Sequence, residues 1–274
     1  MLRDVAFGQY YPTESFVHRM DPRAKILLII LYITAIFCAV TYFSFALVAL
    51  VLIVTIAVSG VPFRSVLRSV KPILFIIIFT AVLNLLFPRD GNVLVEFWII
   101  RITDAAVSFT VMMVLRLVLL VMGTSLLTFT TTPVALTDGI EALLKPLKLV
   151  RFPVHELALI MSIALRFIPT LMDETDRIIR AQKARGADFE SGNLFRRAKA
   201  MLPILIPLLI SAFRRADELS DAMESRCYAG AKGRTKFKRL RFGWRDLIGA
   251  LVYVGLTAAV IVDKILIFFP ILAV

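Results

Sequence analysis

Metal and thiol chemistry have little to work with in this sequence, because its 274 residues include only two cysteines and two histidines. Cys38 falls in an apolar run and Cys227 at a charged helix end, so neither a disulfide framework nor a zinc spacing is available, and both are expected to be free thiols. His18 and His155 are separated and lack convergent Cys, Asp or Glu at ligand spacing, which argues against a metal site. A Walker A sequence is also missing: Gly230-Ala231-Lys232-Gly233-Arg234-Thr235 has the wrong spacing and no hydrophobic strand feeding it. Neither a Ser/His/Asp set nor a pair of intramembrane catalytic groups is present, so the chain reads as non-catalytic. The stretch from Arg3 and Asp4 to Pro22 lacks a short apolar core ending in a cleavage site, so the first span is expected to be retained. The basic residues are interrupted by acids and flank apolar segments without forming a recognisable module, which speaks against nucleic acid as a partner.

What the chain does have is apolar length. It is 59% hydrophobic, its mean hydropathy is +0.84, and runs of about 17 or more apolar residues place it among integral membrane proteins. Five segments have spanning character: Lys25 to Val40, Phe43 to Ser59, Pro72 to Phe87, Ala105 to Phe129 and Leu247 to Phe269. Arg19, Arg23 and Lys25 precede the first span, and Arg64, Arg68 and Lys71 separate the second from the third, so both places should be cytoplasmic. This predicts a cytoplasmic N-terminus, external turns at Thr41 to Ser44 and Pro88 to Asp104, a cytoplasmic Thr130 to Asp246, and an external C-terminus. In the second external loop, Val93 to Ile100 is too short to span and carries Trp98, so it is expected to lie along the membrane surface. The net charge of +12 sits mostly in loops and in Asp173 to Arg245, suited to cytoplasmic retention, anionic lipid or acidic partner surfaces.

Two further stretches, Val154 to Met172 and Met201 to Phe213, would give a seven-span alternative. That arrangement would put Arg177, Arg180, Lys183, Arg185, Arg196, Arg197 and Lys199 outside, against the positive-inside bias. The expectation is therefore an all-α integral membrane protein with about five transmembrane helices plus long cytoplasmic or interfacial coupling helices. It divides into a four-span region over 1–131, a coupling-helix region over 132–245 and a final transmembrane helix over 246–274.

Thr132 and Pro133 open a short amphipathic helix through about Lys148, with apolar Ile140, Leu143, Leu144 and Leu147 at helical spacing and Pro146 marking its end. Pro153 starts a second helix reaching Arg185, and Gly192-Asn193 precedes a third reaching Arg226. Pro169, Pro203 and Pro207 predict kinks. The two long helices end alike, in Ala184-Arg185-Gly186 and Ser225-Arg226-Cys227. Aligned on those ends, Asp176 matches Asp217, Ala181 matches Ala222 and Arg185 matches Arg226 at one offset of 41 residues. A single ending of this kind is an ordinary cap, with glycine supplying the left-handed turn and arginine complementing the helix dipole. Two copies on two proline-bearing helices point to a matched pair of contacts.

These residues resemble the transmembrane T component of energy-coupling factor (ECF) transporters, the EcfT/CbiQ family. The likeness covers essentially the whole chain and includes Ser15-Phe16-Val17-His18-Arg19-Met20-Asp21-Pro22-Arg23-Ala24-Lys25, which is similar to the family's lead-in to its first span. The resemblance implies that Arg185 engages one ABC-type ATPase subunit and Arg226 the other (EcfA- and EcfA′-like partners), with Ala184 and Gly186 keeping the first tip slim. It further implies a substrate-binding membrane S component as partner, vitamins or transition-metal ions as cargo, ATP bound only by the ATPases and no cofactor on this chain, in the plasma membrane of a bacterium. Ser225 and Cys227 depart from Ala and Gly, which implies a displaced stop at Gly230 or Gly233. The apolar faces (Leu157, Ile160, Met161, Ala164, Ile168, Leu202, Leu205, Leu209 and Phe213) are expected to contact the partner or the membrane surface, and in part each other. The rival reading is a self-contained secondary transporter or channel, for which the spans offer little interior charge beyond Arg116, with Asn84 and Asp263 near span ends.

Overall fold

A computed structural model describes residues 10–86, 93–97, 100–146, 153–189, 193–228, 230 and 240–272. The expectations placed on Arg3, Asp4, Trp98, Leu147, Lys148, Gly192 and Gly233 lie outside them.

Helix α1 (Pro22–Cys38) starts three residues before the span expected from Lys25, because a cap rather than hydropathy sets its first turn. The Asp21 carboxylate caps it by accepting from the Arg23 N–H at 2.9 Å, and Pro22 takes a first-turn position where its missing N–H costs nothing. Helix α2 (Tyr42–Ser59) stops at Gly60, whose φ of 68° is left-handed. Helix α3 (Phe63–Arg68) and a 3-10 turn (Lys71–Ile73) lead into α4 (Leu74–Leu86). Strands β1 (Val93–Phe97) and β2 (Ile100–Thr103) pair antiparallel, so the segment expected along the membrane surface contributes to a small hairpin. Its β-branched and aromatic residues favour extended backbone, and pairing satisfies polar groups a lone strand would leave open. Thr103 then caps α5 (Asp104–Thr130), its hydroxyl accepting from the Ala106 N–H. The last four helices are α6 (Pro133–Leu143), α7 (Val154–Ala184), α8 (Leu194–Ser225) and α9 (Trp244–Leu272).

The described residues fall into two compact units. One contains α1 to α6, the hairpin and α9, with a core of Tyr32, Ile36, Val48, Leu52, Leu119 and Val260. Tyr32 donates to the Leu119 carbonyl at 2.9 Å, and an added Cβ on Gly123 would lie 2.1 Å from its ring. Gly123 is what lets α5 approach α1 at that level. The outward faces are apolar, with Phe75 and Leu251 more than 70% exposed, as suits helices surrounded by hydrocarbon rather than water. The other unit contains α7 and α8.

By length and composition, five helical stretches can cross a membrane: Tyr42–Ser59, Phe63–Leu86, Asp104–Thr130, Val154–Ala184 and Trp244–Ile267. The number matches the expectation, but the membership differs. Helix α1 has only 17 residues, while the N-terminal half of α7 is apolar enough to qualify.

The polar residues of the spans are engaged in packing. Arg116 donates to the Ala39 carbonyl at 2.8 Å, closing the end of α1, and lies over the Phe45 ring. Ser44 hydrogen-bonds Asp263, and Asn84 bonds the Thr80 carbonyl at 2.9 Å. Met122 is buried in the core and Met112 packs against it.

Candidate functional site

The two long helices end in the same hydrogen-bonded turn. At the end of α7 the Gly186 N–H bonds the Lys183 carbonyl and the Ala187 N–H bonds that of Gln182, both at 3.0 Å. At the end of α8 the Cys227 N–H bonds Glu224 at 2.8 Å and the Tyr228 N–H bonds Met223 at 3.0 Å. Each is a Schellman cap, which satisfies the last helical carbonyls by reversing the chain through one left-handed residue. Gly186 provides that residue at φ 87° and Cys227 at φ 56°. Cys227 is the sole non-glycine residue with positive φ among those described. The replacement of glycine by cysteine therefore leaves the stop in place; it is not displaced to Gly230 or Gly233. Ser225 is accommodated as well, its hydroxyl donating to the Ala222 carbonyl at 3.1 Å.

The arginines have nearly the same backbone, Arg185 at φ −85°, ψ 5° and Arg226 at φ −95°, ψ 15°. Ala184, Arg185, Gly186, Ser225, Arg226 and Cys227 are all exposed. The structure thus holds two guanidinium forks, each at the sharp end of a long helix and without a carboxylate partner among the described residues. A planar fork of this kind suits carboxylates or backbone carbonyls on a facing protein.

Helices α7 and α8 pack on each other and are joined by an ion pair between Glu174 and Arg215 at 2.5 Å, both half-buried. These residues are 41 apart, the offset that relates the two tips. Both helices run unbroken through Pro169, Pro203 and Pro207. The ion pair was missed from the sequence, although the repeat offset was the signal that could have found it.

All nine residues assigned to the apolar faces of α7 and α8 are exposed, with Ile160 at 60% and Phe213 at 65%. The two helices pack on each other, and these nine side chains still present much of their surface outward. A contiguous apolar surface of this kind needs lipid or a partner.

The lead-in segment forms a latch at one end of the first unit. Lys25, buried, donates to the Thr130 carbonyl at 2.8 Å, to Thr131 Oγ1 at 3.3 Å and to the His18 carbonyl at 3.2 Å, tying α1 to the end of α5. The Asp21 N–H donates to Asp246 Oδ1 at 2.8 Å, tying α1 to the start of α9. His18 Nε2 donates to the Tyr11 carbonyl at 3.0 Å, so its Nδ1 accepts from the Ser15 hydroxyl at 2.7 Å. Burial first, and the Lys25 charge second, lower the His18 pKa. Lys25, read from the sequence as a topology signal, is also a structural clamp.

The chain matches the CbiQ family, described as cobalt transport protein, over residues 13–237. It is 49% identical over 266 residues to a protein of Ruminiclostridium cellulolyticum, covering 97% of this chain and 99% of that one. It is 50% identical over 257 residues to one of Acidaminococcus fermentans, covering 93% and 95%, and 45% identical over 246 residues to one of Bacillus subtilis, covering 90% and 93%. All three relatives bear the name energy-coupling factor transporter transmembrane protein EcfT.

Proposed function

This chain belongs to the EcfT/CbiQ family of transmembrane transporter components, and from that footing we propose that it couples two cytoplasmic ABC-type ATPases to a separate substrate-capturing membrane protein. The observation that carries this reading is the pair of identically capped, exposed arginines, Arg185 and Arg226, with no carboxylate partner among the described residues. One docks on each ATPase. Closure of the ATPases around nucleotide moves the tips, and α7 and α8, joined at Glu174 and Arg215, carry that motion to the partner seated on their apolar faces. The cargo is a micronutrient, a vitamin or a transition-metal ion, selected by the S component. ATP is bound and hydrolysed by the partners and this chain holds no cofactor. The N-terminus and both tips face the cytoplasm and the C-terminus faces outside, which keeps the basic block on the inner side of a bacterial plasma membrane.

A self-contained transporter would need an ionisable pathway at mid-membrane. Arg116 is used instead to close α1, and Asp263 is bonded by Ser44. The test is affinity purification of the tagged chain from its own membrane in mild detergent, with and without Arg185→Glu plus Arg226→Glu. Two ATPases and a small membrane protein should co-purify with the native chain, and the ATPases should be lost from the double variant. A folded chain recovered alone in its native form would overturn the reading.

A further inference from the structure

Beside the latch, an apolar crevice of about 230 Å³ opens between α1, α2, α5 and α9. Met20 and Leu28, both buried, line it. Val54, Val58, Ile248 and Val252 line it and are themselves exposed on the outer wall of the helical unit. A crevice walled by exposed aliphatic residues of spanning helices opens sideways into hydrocarbon, not into water.

Phe16 is shared between this crevice and a second, polar recess lined by Glu14, Ser15, Arg19, Trp244 and Arg245. Arg19 is paired with Glu14 there. The Arg245 guanidinium lies 5.9 Å from the Phe16 ring centre and 5.6 Å from that of Trp244, with no carboxylate partner among the described residues. Its neighbour Asp246 is occupied by two backbone N–H groups, those of Asp21 at 2.8 Å and Gly243 at 2.7 Å, so it does not pair with Arg245. The recess therefore carries one unpaired positive charge on an aromatic platform, beside a slot for a hydrocarbon chain.

We propose that this composite site seats an anionic phospholipid, one acyl chain in the crevice and the phosphate on Arg245. Each half supplies what the other lacks. A free anion would leave the apolar slot unused, and a neutral lipid would leave the Arg245 charge uncompensated. Trp244, at the start of α9 and 64% exposed, marks the interfacial level where a headgroup sits. Lipid at this position bridges α1 and α9 where the latch already joins them.

Native mass spectrometry of the full chain in detergent, titrated with dioleoyl phosphatidylglycerol or dioleoyl phosphatidylcholine, tests the assignment. The anionic lipid should bind about fivefold more tightly, as expected for one basic residue at the headgroup level. Arg245→Gln should erase the preference, Val252→Trp should weaken both lipids, and millimolar inorganic phosphate should not compete. Should the variants fail to fold, a Trp98→Phe chain leaves Trp244 as sole reporter. Acyl-brominated phosphatidylglycerol should then quench it more than brominated phosphatidylcholine at equal mole fraction. Equal affinities, equal quenching, an unchanged preference in Arg245→Gln, or displacement by phosphate alone would each overturn the proposal.

Discussion

Glu174 and Arg215 occupy the same position in the two long helices, each as far along its own helix from the terminal arginine as the other, and they meet in an ion pair. The repeat offset that relates the two tips therefore also relates the two ends of this contact. Each tip then lies at the same distance from the contact, about 16 Å of helix.

Breaking this pair should loosen the packing of α7 against α8. Glu174→Arg or Arg215→Glu alone should reduce transport-coupled ATP hydrolysis in the assembled complex, and the double exchange should recover most of it. In a double-mutant cycle on stability, the half-buried pair should show a coupling of about 1 kcal/mol. Additive single effects, with no recovery in the exchange, would mean that the contact is incidental.

The left-handed backbone at Cys227 is a local liability that glycine would remove. Cys227→Gly should stabilise the end of α8 by about 1 kcal/mol, and Gly186→Ala should weaken the end of α7 by a similar amount. Amide hydrogen exchange at Tyr228 and Ala187, which close the two caps, reads each effect directly. Faster exchange at Tyr228 in Cys227→Gly would contradict the cap assignment.

Lys25 holds three oxygen acceptors in a buried position. Lys25→Met keeps much of the length and packing but leaves those acceptors without their donor, and should cost roughly 3 kcal/mol. The measurement is thermal unfolding in detergent. An unchanged Tm would show that the residue serves only as a topology signal.

His18 should make the latch sensitive to acid. Its folded pKa lies below the ordinary 6.5, so the fold holds the ring neutral and the unfolded chain takes up the proton first as pH falls. The stabilisation is present above about pH 6.5 and declines below it, until the ring is protonated in both states. Tm measured from pH 7.5 down to 5.5 should fall, and His18→Gln should flatten that decline. A wild-type Tm that rises over the same interval would give the opposite sign.

Most helix limits were legible in the sequence because caps act over one turn. Thr132 with Pro133, and Gly186, each place a boundary through groups within a few residues of it, whereas hydropathy alone starts the first helix at Lys25, three residues after Pro22, where the Asp21 cap starts it. The end of α8 at Arg226 was legible too, but its cap was not, because a cysteine does not advertise left-handed backbone; Cys227 takes that conformation where hydrogen bonds to Met223 and Glu224 close the turn. The hairpin was missed as well, since a strand gains its stability from pairing that local composition does not specify.

Membrane class, helix order and the two arginine tips at one offset are written in local sequence, since hydropathy, periodicity and capping are properties of neighbouring residues. Which groups serve which partners emerges with packing: Arg116 closing α1 across 77 residues, Asp246 bonding Asp21 across 225, Glu174 meeting Arg215, and the apolar faces of α7 and α8 left exposed. Those pairings depend on which helix faces meet once the chain has packed, and residues distant in sequence carry no local signal of the partner that folding brings to them.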